Sequence, residues 1–178
     1  MNKVAIITAA SKGMGAACAH TLAKEKYNLV LMSRTDGVLE FAKELDAVGM
    51  VGNVTKQNDL CKVVDLAMDT YGQIDAIVNI SSYSAKDPNI SFPTSSTIRA
   101  GLSAFVKLFA DQYAKDGIRM NNILPGFVDS FDVDDEIRSM IPSKREGRVD
   151  EIANTVVFLL SDKSSSVSYT HLTLPTKA

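Results

Sequence analysis

The chain has 178 residues, 46% hydrophobic and 22% charged, a balance that suits one globular domain with a sizeable core. A formal net charge of -2 gives no reason to expect a nucleic acid or an anionic membrane surface as partner, and apolar runs such as Ala5 to Ile7 and Leu29 to Met32 are too short to span a bilayer. Cys18 and Cys61 form no CxxC pair and read as buried reduced thiols, while His20 and His171 lack a partner at metal-ligand spacing, so the expectation is a cytoplasmic protein with no metal site.

Val4 to Thr8 is a β-branched apolar run and reads as a buried strand. A small-residue turn, Ala9 to Gly15, leads into a helix expected to reach about Lys26. Asn28 to Ser33 is a second strand, Val38 to Leu45 a short helix and Met50 to Val54 a weaker strand. Between Asp59 and Tyr71 the apolar residues Leu60, Val63, Val64, Ala67 and Met68 paint one face of a helix. Ile74 to Ile80 is a fourth strand. A long helix from Ser96 to Lys115 is expected to bury Leu102, Phe105, Val106, Leu108 and Phe109. Ile118 to Leu124 is a strand closed by Pro125-Gly126, and Phe127 to Arg148 reads as a charged loop whose acidic run, Asp132 to Glu136, is solvated. Asp150 to Leu160 is a helix with Ile152, Val156 and Leu159 inward and Asp150 as its N-cap. Strands alternating with helices predict an α/β fold, a doubly wound Rossmann-type parallel sheet flanked by helices, spanning residues 1–161 as a single dinucleotide-binding domain. In such sheets ligands lie beyond the carboxyl ends of the strands.

The turn after the first strand carries the first chemistry. Gly13 and Gly15 allow a pyrophosphate to approach the backbone, and the helix N-terminus behind them faces its charge. The alternative is an ordinary strand-to-helix turn. At the end of the second strand an acidic residue would select NAD(H) by accepting from a ribose hydroxyl. The sequence has Ser33-Arg34 there, and Arg34 with Lys12 can hold a 2′-phosphate, which favours NADP(H) over NAD(H).

Thr8-Ala9-Ala10-Ser11-Lys12-Gly13-Met14-Gly15 resembles the TGxxxGxG loop of the short-chain dehydrogenase/reductase family, with Ala9 in place of the first glycine. A methyl there costs little at negative φ and more at positive φ. Gly52-Asn53-Val54-Thr55 resembles the family's segment beside the adenine, with Asn53 where an aspartate is usual. Val78-Asn79-Ile80-Ser81-Ser82 resembles the strand that ends in the catalytic serine, and Asp116 to Gly126 resembles the family segment that closes on Pro125 and Gly126. The chain is thus similar to members of that family of the 3-oxoacyl-ACP-reductase-like kind. The resemblance implies a nucleotide-binding oxidoreductase that transfers hydride to or from a carbonyl or alcohol of a small molecule, as a homo-oligomer. It assigns cofactor contacts to Thr8, Ser11, Lys12, Gly13, Met14, Gly15, Ser33, Arg34, Asn53, Val54, Asn79, Pro125 and Gly126.

At the family's spacing from Ser82, the catalytic tyrosine position is Ser95 and the lysine position is Arg99. An unactivated serine hydroxyl does not ionise near neutral pH, and arginine holds charge without shuttling a proton. Tyr83 could stand in from the strand end, though a tyrosine packed over the loop is the plainer reading. The family also has two strands with a helix between them where this chain has the single run Ile74 to Ser82, and that helix normally helps to build the subunit interface. These departures leave open a catalytically inactive NADP(H)-binding pseudoenzyme or a non-functional fragment. Beyond Leu160 the family's last strand is expected to be missing. Residues 162–178 are expected to be a non-native or disordered tail, because Val167 to Leu172 looks like translated sequencing adapter.

Overall fold

The computed structural model describes residues 2–173, in two compact units, Met1–Asp75 and Ala76–Ala178. In the first unit the order is β1 (Val4–Thr8), α1 (Gly13–Lys24), β2 (Asn28–Ser33), α2 (Gly37–Glu44), β3 (Val48–Val51) and α3 (Gln57–Tyr71). The strands form a parallel sheet in the order β1-β2-β3, with Val4 opposite Asn28, Thr8 opposite Met32 and Ser33 opposite Val51. Their carboxyl ends therefore share one edge, where the loops that follow β1, β2 and β3 collect. Val4, Val30 and Met32 pack with Val63 and Ala67 of α3 on one face. Gly49 turns the other way, toward α2, where a Cβ would lie 3.0 Å from that of Ala42. Asp75 fixes the start of β1 by accepting the Val4 N–H at 3.1 Å.

The second unit runs β4 (Ala76–Ile80), α4 (Pro93–Tyr113), β5 (Arg119–Leu124), α5 (Asp135–Met140), α6 (Val149–Leu160) and β6 (His171–Thr173). Its sheet is also parallel, in the order β4-β5-β6. Ile123 and Leu124 of the sheet, Ile141 after α5, and Ile152 and Leu159 of α6 are fully buried. Both units are thus parallel sheets flanked by helices, as the alternation of patterns predicts. Only a short 3-10 turn, Tyr83–Ala85, lies between β4 and α4, so the helix expected to be missing at this point is not there.

The structure corrects several expectations. After Leu160 a short strand is present: β6 pairs with β5 from His171 opposite Asn122 to Thr173 opposite Leu124. The segment leading to it is tied down by polar groups of β5, since Val167 C=O accepts from Arg119 Nη1 at 3.1 Å and from Asn121 Nδ2 at 2.9 Å. Residues 174–178 of the expected tail lie outside the described residues. Cys61 is exposed, being two positions from Val63 and so on the far side of α3 from its buried stripe, whereas Cys18 is buried as expected. On α3, Val63 and Ala67 are inward while Leu60, Val64 and Met68 are exposed. On α4 the buried stripe is Ser96, Val106 and Ala110; Phe105 and Leu108 are 53% and 65% exposed. The N-cap of α6 is Arg148, leaving Asp150 in the first turn. The stretch 127–148 contains α5, where Asp134 caps the helix through Ile137 N–H at 2.8 Å and Asp135 pairs with Arg138 at 2.6 Å.

Candidate cofactor and active site

The loop between β1 and α1 is shaped by close backbone approach. Gly13 sits at φ 56, in the region glycine occupies without strain. A Cβ on Gly15 would lie 2.4 Å from the Ala9 carbonyl oxygen, so nothing larger than glycine fits. Ala9 itself has φ 52, the costlier of the two cases considered for its methyl group. Ala10 N–H donates to Met32 C=O at 3.1 Å, and Ser33 Oγ donates to Ser11 Oγ at 2.9 Å, which ties the loop to the end of β2. No side chain caps α1 at Lys12 and its first turn holds no acidic residue. The first N–H groups and their positive field are therefore open to an anion. Thr8, Ser11 and Lys12 are exposed around this N-terminus, and Met14 is half-buried. Arg34 is exposed beyond Ser33, and neither it nor Lys12 forms an ion pair among the described residues. The structure thus brings the Ser11 and Ser33 side chains into contact, with Lys12 and Arg34 as their chain neighbours.

The end of β3 joins the same edge. Gly52 N–H donates to Ser33 C=O at 2.8 Å. Asn53 Oδ1 accepts from both the N–H and the Oγ1–H of Thr55, each at 3.0 Å, while its own N–H donates to Asp59 Oδ2 at 2.9 Å. Val54 is 50% exposed beside it. A bare helix N-terminus, a glycine cradle and two cations without an ion pair among the described residues fit the phosphates of a dinucleotide.

In the second unit Asn79 Nδ2 donates to Asn122 Oδ1 at 3.0 Å, a cross-strand pair in register. Beyond β4 the chain runs beside the exit of β5: Ser81 N–H donates to Ile123 C=O at 2.8 Å and Tyr83 N–H to Pro125 C=O at 3.0 Å. Ser82 Oγ accepts from Ser84 N–H at 3.4 Å and lies 3.3 Å from Ser84 Oγ. Pro125 is buried and Gly126 half-buried. One turn apart on α4, Arg99 Nε donates to Ser95 Oγ at 3.0 Å, so the residues at the family's tyrosine and lysine positions bond to each other. Sequence reasoning gave no role to Ser81, the residue that follows β4, or to Asn122, whose signal was a polar residue inside the strand β5. Ser81 Oγ, Asn122 Nδ2 and His171 Nε2 are buried without a partner among the described residues. Burial holds the His171 imidazole below its ordinary value, with Lys86 adding to the shift, and burial pushes the Cys18 thiol up to about 11, which leaves it unreactive.

Comparison with known proteins places this geometry. The family profile described as short chain dehydrogenase matches residues 3–79, and that described as enoyl-(acyl carrier protein) reductase matches residues 76–174. The chain belongs to the short-chain dehydrogenase/reductase family. It is 25% identical to a 3-oxoacyl-[acyl-carrier-protein] reductase of Staphylococcus epidermidis, over 94% of this chain and 95% of that protein. An acetoacetyl-CoA reductase of Synechocystis is 37% identical over 51% of this chain and 41% of its own length. The Staphylococcus alignment runs over 232 positions, more than the 178 residues present, so it contains gaps in this member of the family. Among solved structures, YwfH, described as an NADPH dependent reductase involved in bacilysin biosynthesis, superposes with a TM-score of 0.89 at 20% identity, covering 97% of this chain and 96% of its own. An actinorhodin polyketide ketoreductase variant solved with NADPH gives 0.87 at 20% identity, covering 97% and 95%. Both likenesses are of fold. Among the described residues, no helix is long and apolar enough to cross a membrane.

Proposed function

We propose that this family member is an NADP(H)-dependent oxidoreductase acting on the carbonyl or alcohol of a small molecule in the cytoplasm. The observation that carries the reading is the β1–α1 loop: an uncapped helix N-terminus over Gly13 and Gly15, joined through Ser11 and Ser33 to a strand end followed directly by Arg34. The backbone N–H groups of α1 bind phosphate oxygens, Lys12 and Arg34 hold the 2′-phosphate, and Asn53 and Val54 take the base. The bound nicotinamide would supply or accept the hydride. Ser82 is assigned to hydrogen-bonding the substrate oxygen, and Arg99 to orienting ribose hydroxyls while donating to Ser95 Oγ. The NADPH-linked descriptions of YwfH and the polyketide ketoreductase agree with this cofactor.

A second reading, an NADP(H)-binding protein without turnover, is favoured by one bond. Arg99 Nε on Ser95 Oγ supplies no group that both gives up and regains a proton near neutral pH. Thermal unfolding with saturating NADPH and NADH tests binding. A ligand at a hundredfold excess over Kd stabilises the folded state by roughly 2.7 kcal/mol. The expected result is a single transition raised by NADPH and little by NADH, and a transition that neither moves would sink the cofactor site. Loss of the nicotinamide absorbance band over a panel of small ketones and 3-oxoacyl thioesters then separates an enzyme from a binder.

A further inference from the structure

We propose that Asn79, Asn122 and His171 form a hydrogen-bond relay across the second sheet whose polarity reverses when His171 takes up a proton, so that Asn79 has a spare acceptor at neutral pH and a spare donor in acid. The inference does not depend on the cofactor reading above. The three residues stand in one row: Asn79 is in register with Asn122, and Asn122 with His171. Residues in register on neighbouring parallel strands project from the same face, about 4.8 Å apart. Asn122 is fully buried, and Asn79 and His171 are half-buried.

The direction of the bonds follows from which atoms can donate. Asn79 Nδ2 donates to Asn122 Oδ1 at 3.0 Å. That leaves Asn122 Nδ2, a donor, buried without a partner, and His171 Nε2 on the neighbouring strand is buried without one too. The other ring nitrogen of His171, Nδ1, is on the Ser103 C=O of α4. A carbonyl can only accept, so Nδ1 carries the hydrogen and Nε2 of the neutral ring holds a lone pair. The Asn122 donor and this lone pair close directly on each other, and every bond of the row then points from β4 toward β6. The end left over is Asn79 Oδ1.

A proton on Nε2 turns that acceptor into a second donor facing Asn122 Nδ2. Asn122 receives it by rotating its carboxamide, which puts Oδ1 on His171 and Nδ2 on Asn79, and Asn79 rotates in turn to accept. The rotation keeps both bonds, whereas a fixed row would leave a buried cation unpaired. No carboxylate among the described residues acts on His171 to hold the proton instead. The charge acting on the ring is Lys86, α4 supplies the Ser103 carbonyl, and Tyr169 meets the ring edge-on at 5.2 Å, while Lys107 of α4 interacts with Asp111 and Tyr169. Burial first and Lys86 second hold the imidazole below its ordinary value of 6.5, so the reversal belongs below that pH.

NMR of the full chain, reading side-chain amide NOEs and the His171 ring between about pH 8 and about pH 4.5, tests the relay. The Asn122 Nδ2 protons are expected to show NOEs to the His171 ring at the upper end and to the Asn79 side chain at the lower. The exchange should follow the midpoint of the His171 ring, with β6 amides protected throughout. His171→Gln is expected to abolish the pH dependence of these NOEs. Should that variant fail to fold, Asn122→Asp carries the test: a carboxylate accepts from both neighbours, so the His171 midpoint is expected to rise above 6.5. A midpoint at or below that of wild type overturns the proposal. So do Asn122 NOEs that keep one direction through the His171 titration, the proton then being taken up by a bridging water or by release of β6. A ring that stays neutral to the acid end of the range overturns it as well.

Discussion

Ala9 holds a methyl group in the left-handed region, at φ 52, where the first glycine of the family loop would stand. The backbone cost for a residue with a Cβ is about 1 kcal/mol. Ala9→Gly is therefore expected to raise the urea midpoint by the equivalent of about 1 kcal/mol, less what the unfolded chain gains in freedom. Gly15→Ala is expected to act oppositely: its Cβ would sit 2.4 Å from Ala9 O, so the loop must shift and NADPH must lose its thermal shift. The sequence told that Ala9 departs from the pattern, but not the sign of φ, which a distant constraint decides: Ala10 N–H is held on Met32. The Ser95–Arg99 pair was legible as two substitutions; their mutual bond was not, because it depends on rotamers. Restoring the family's pattern with Ser95→Tyr and Arg99→Lys together supplies a general acid that such a site uses for roughly 10²–10⁴-fold in rate. Turnover of any ketone that wild type reduces should rise by at least the lower figure. An unchanged rate would show that the proton arrives by another group, Tyr83 being the nearest in sequence to Ser82.

At the scale of elements, periodicity located each helix but overstated its buried arc. The apolar set on α4 spans more of the wheel than one contact face can cover. Leu108 lies two positions from Val106, about 200° round the axis, and is exposed while Val106 is buried. The start of α6 shows a different gap in sequence reasoning. Asp150 has the composition of a cap, yet Glu151 does the work from inside the first turn, accepting Arg148 N–H at 2.8 Å and a two-pronged Arg145 contact at 2.9 and 2.7 Å. These bonds hold the Glu151 carboxyl down to about 2, against an ordinary value of 4.5, with the Arg145 hydrogen bond the main cause. A carboxyl depressed in the folded state adds stability at pH above its unfolded value. That contribution is lost as pH falls from about 4.5 through about 2, because the unfolded chain then binds a proton that the folded chain refuses. Glu151→Gln should therefore flatten the fall of Tm across this acid window. Wild type and variant that decline in parallel would show that solvent screens the Arg145 contact away.

For the whole molecule, the parallel architecture was plain in the alternation of strand and helix patterns. The shortening was plain too, and the Staphylococcus reductase aligns over more positions than this chain contains. Which apolar side chains stay uncovered is read from the structure alone. Leu60, Val64 and Met68 recur at helical spacing along α3, each between 37% and 45% exposed. On α4, Ile98, Phe105 and Leu108 are each more than half exposed. Single surface apolar residues are ordinary; two stripes of them at helical spacing make contiguous patches that drive association. Sedimentation velocity over a wide concentration range is therefore expected to show mass rising with concentration for wild type. The double variant Phe105→Glu, Leu108→Lys touches no buried position on α4 and leaves the Ser95–Arg99 pair in place. It is expected to raise the monomer fraction without lowering the thermal midpoint. If wild type is a monomer at every concentration, these side chains are tolerated singly by solvent and the patches drive nothing. If the variant lowers the midpoint instead, Phe105 and Leu108 support the fold of α4 from its outer side.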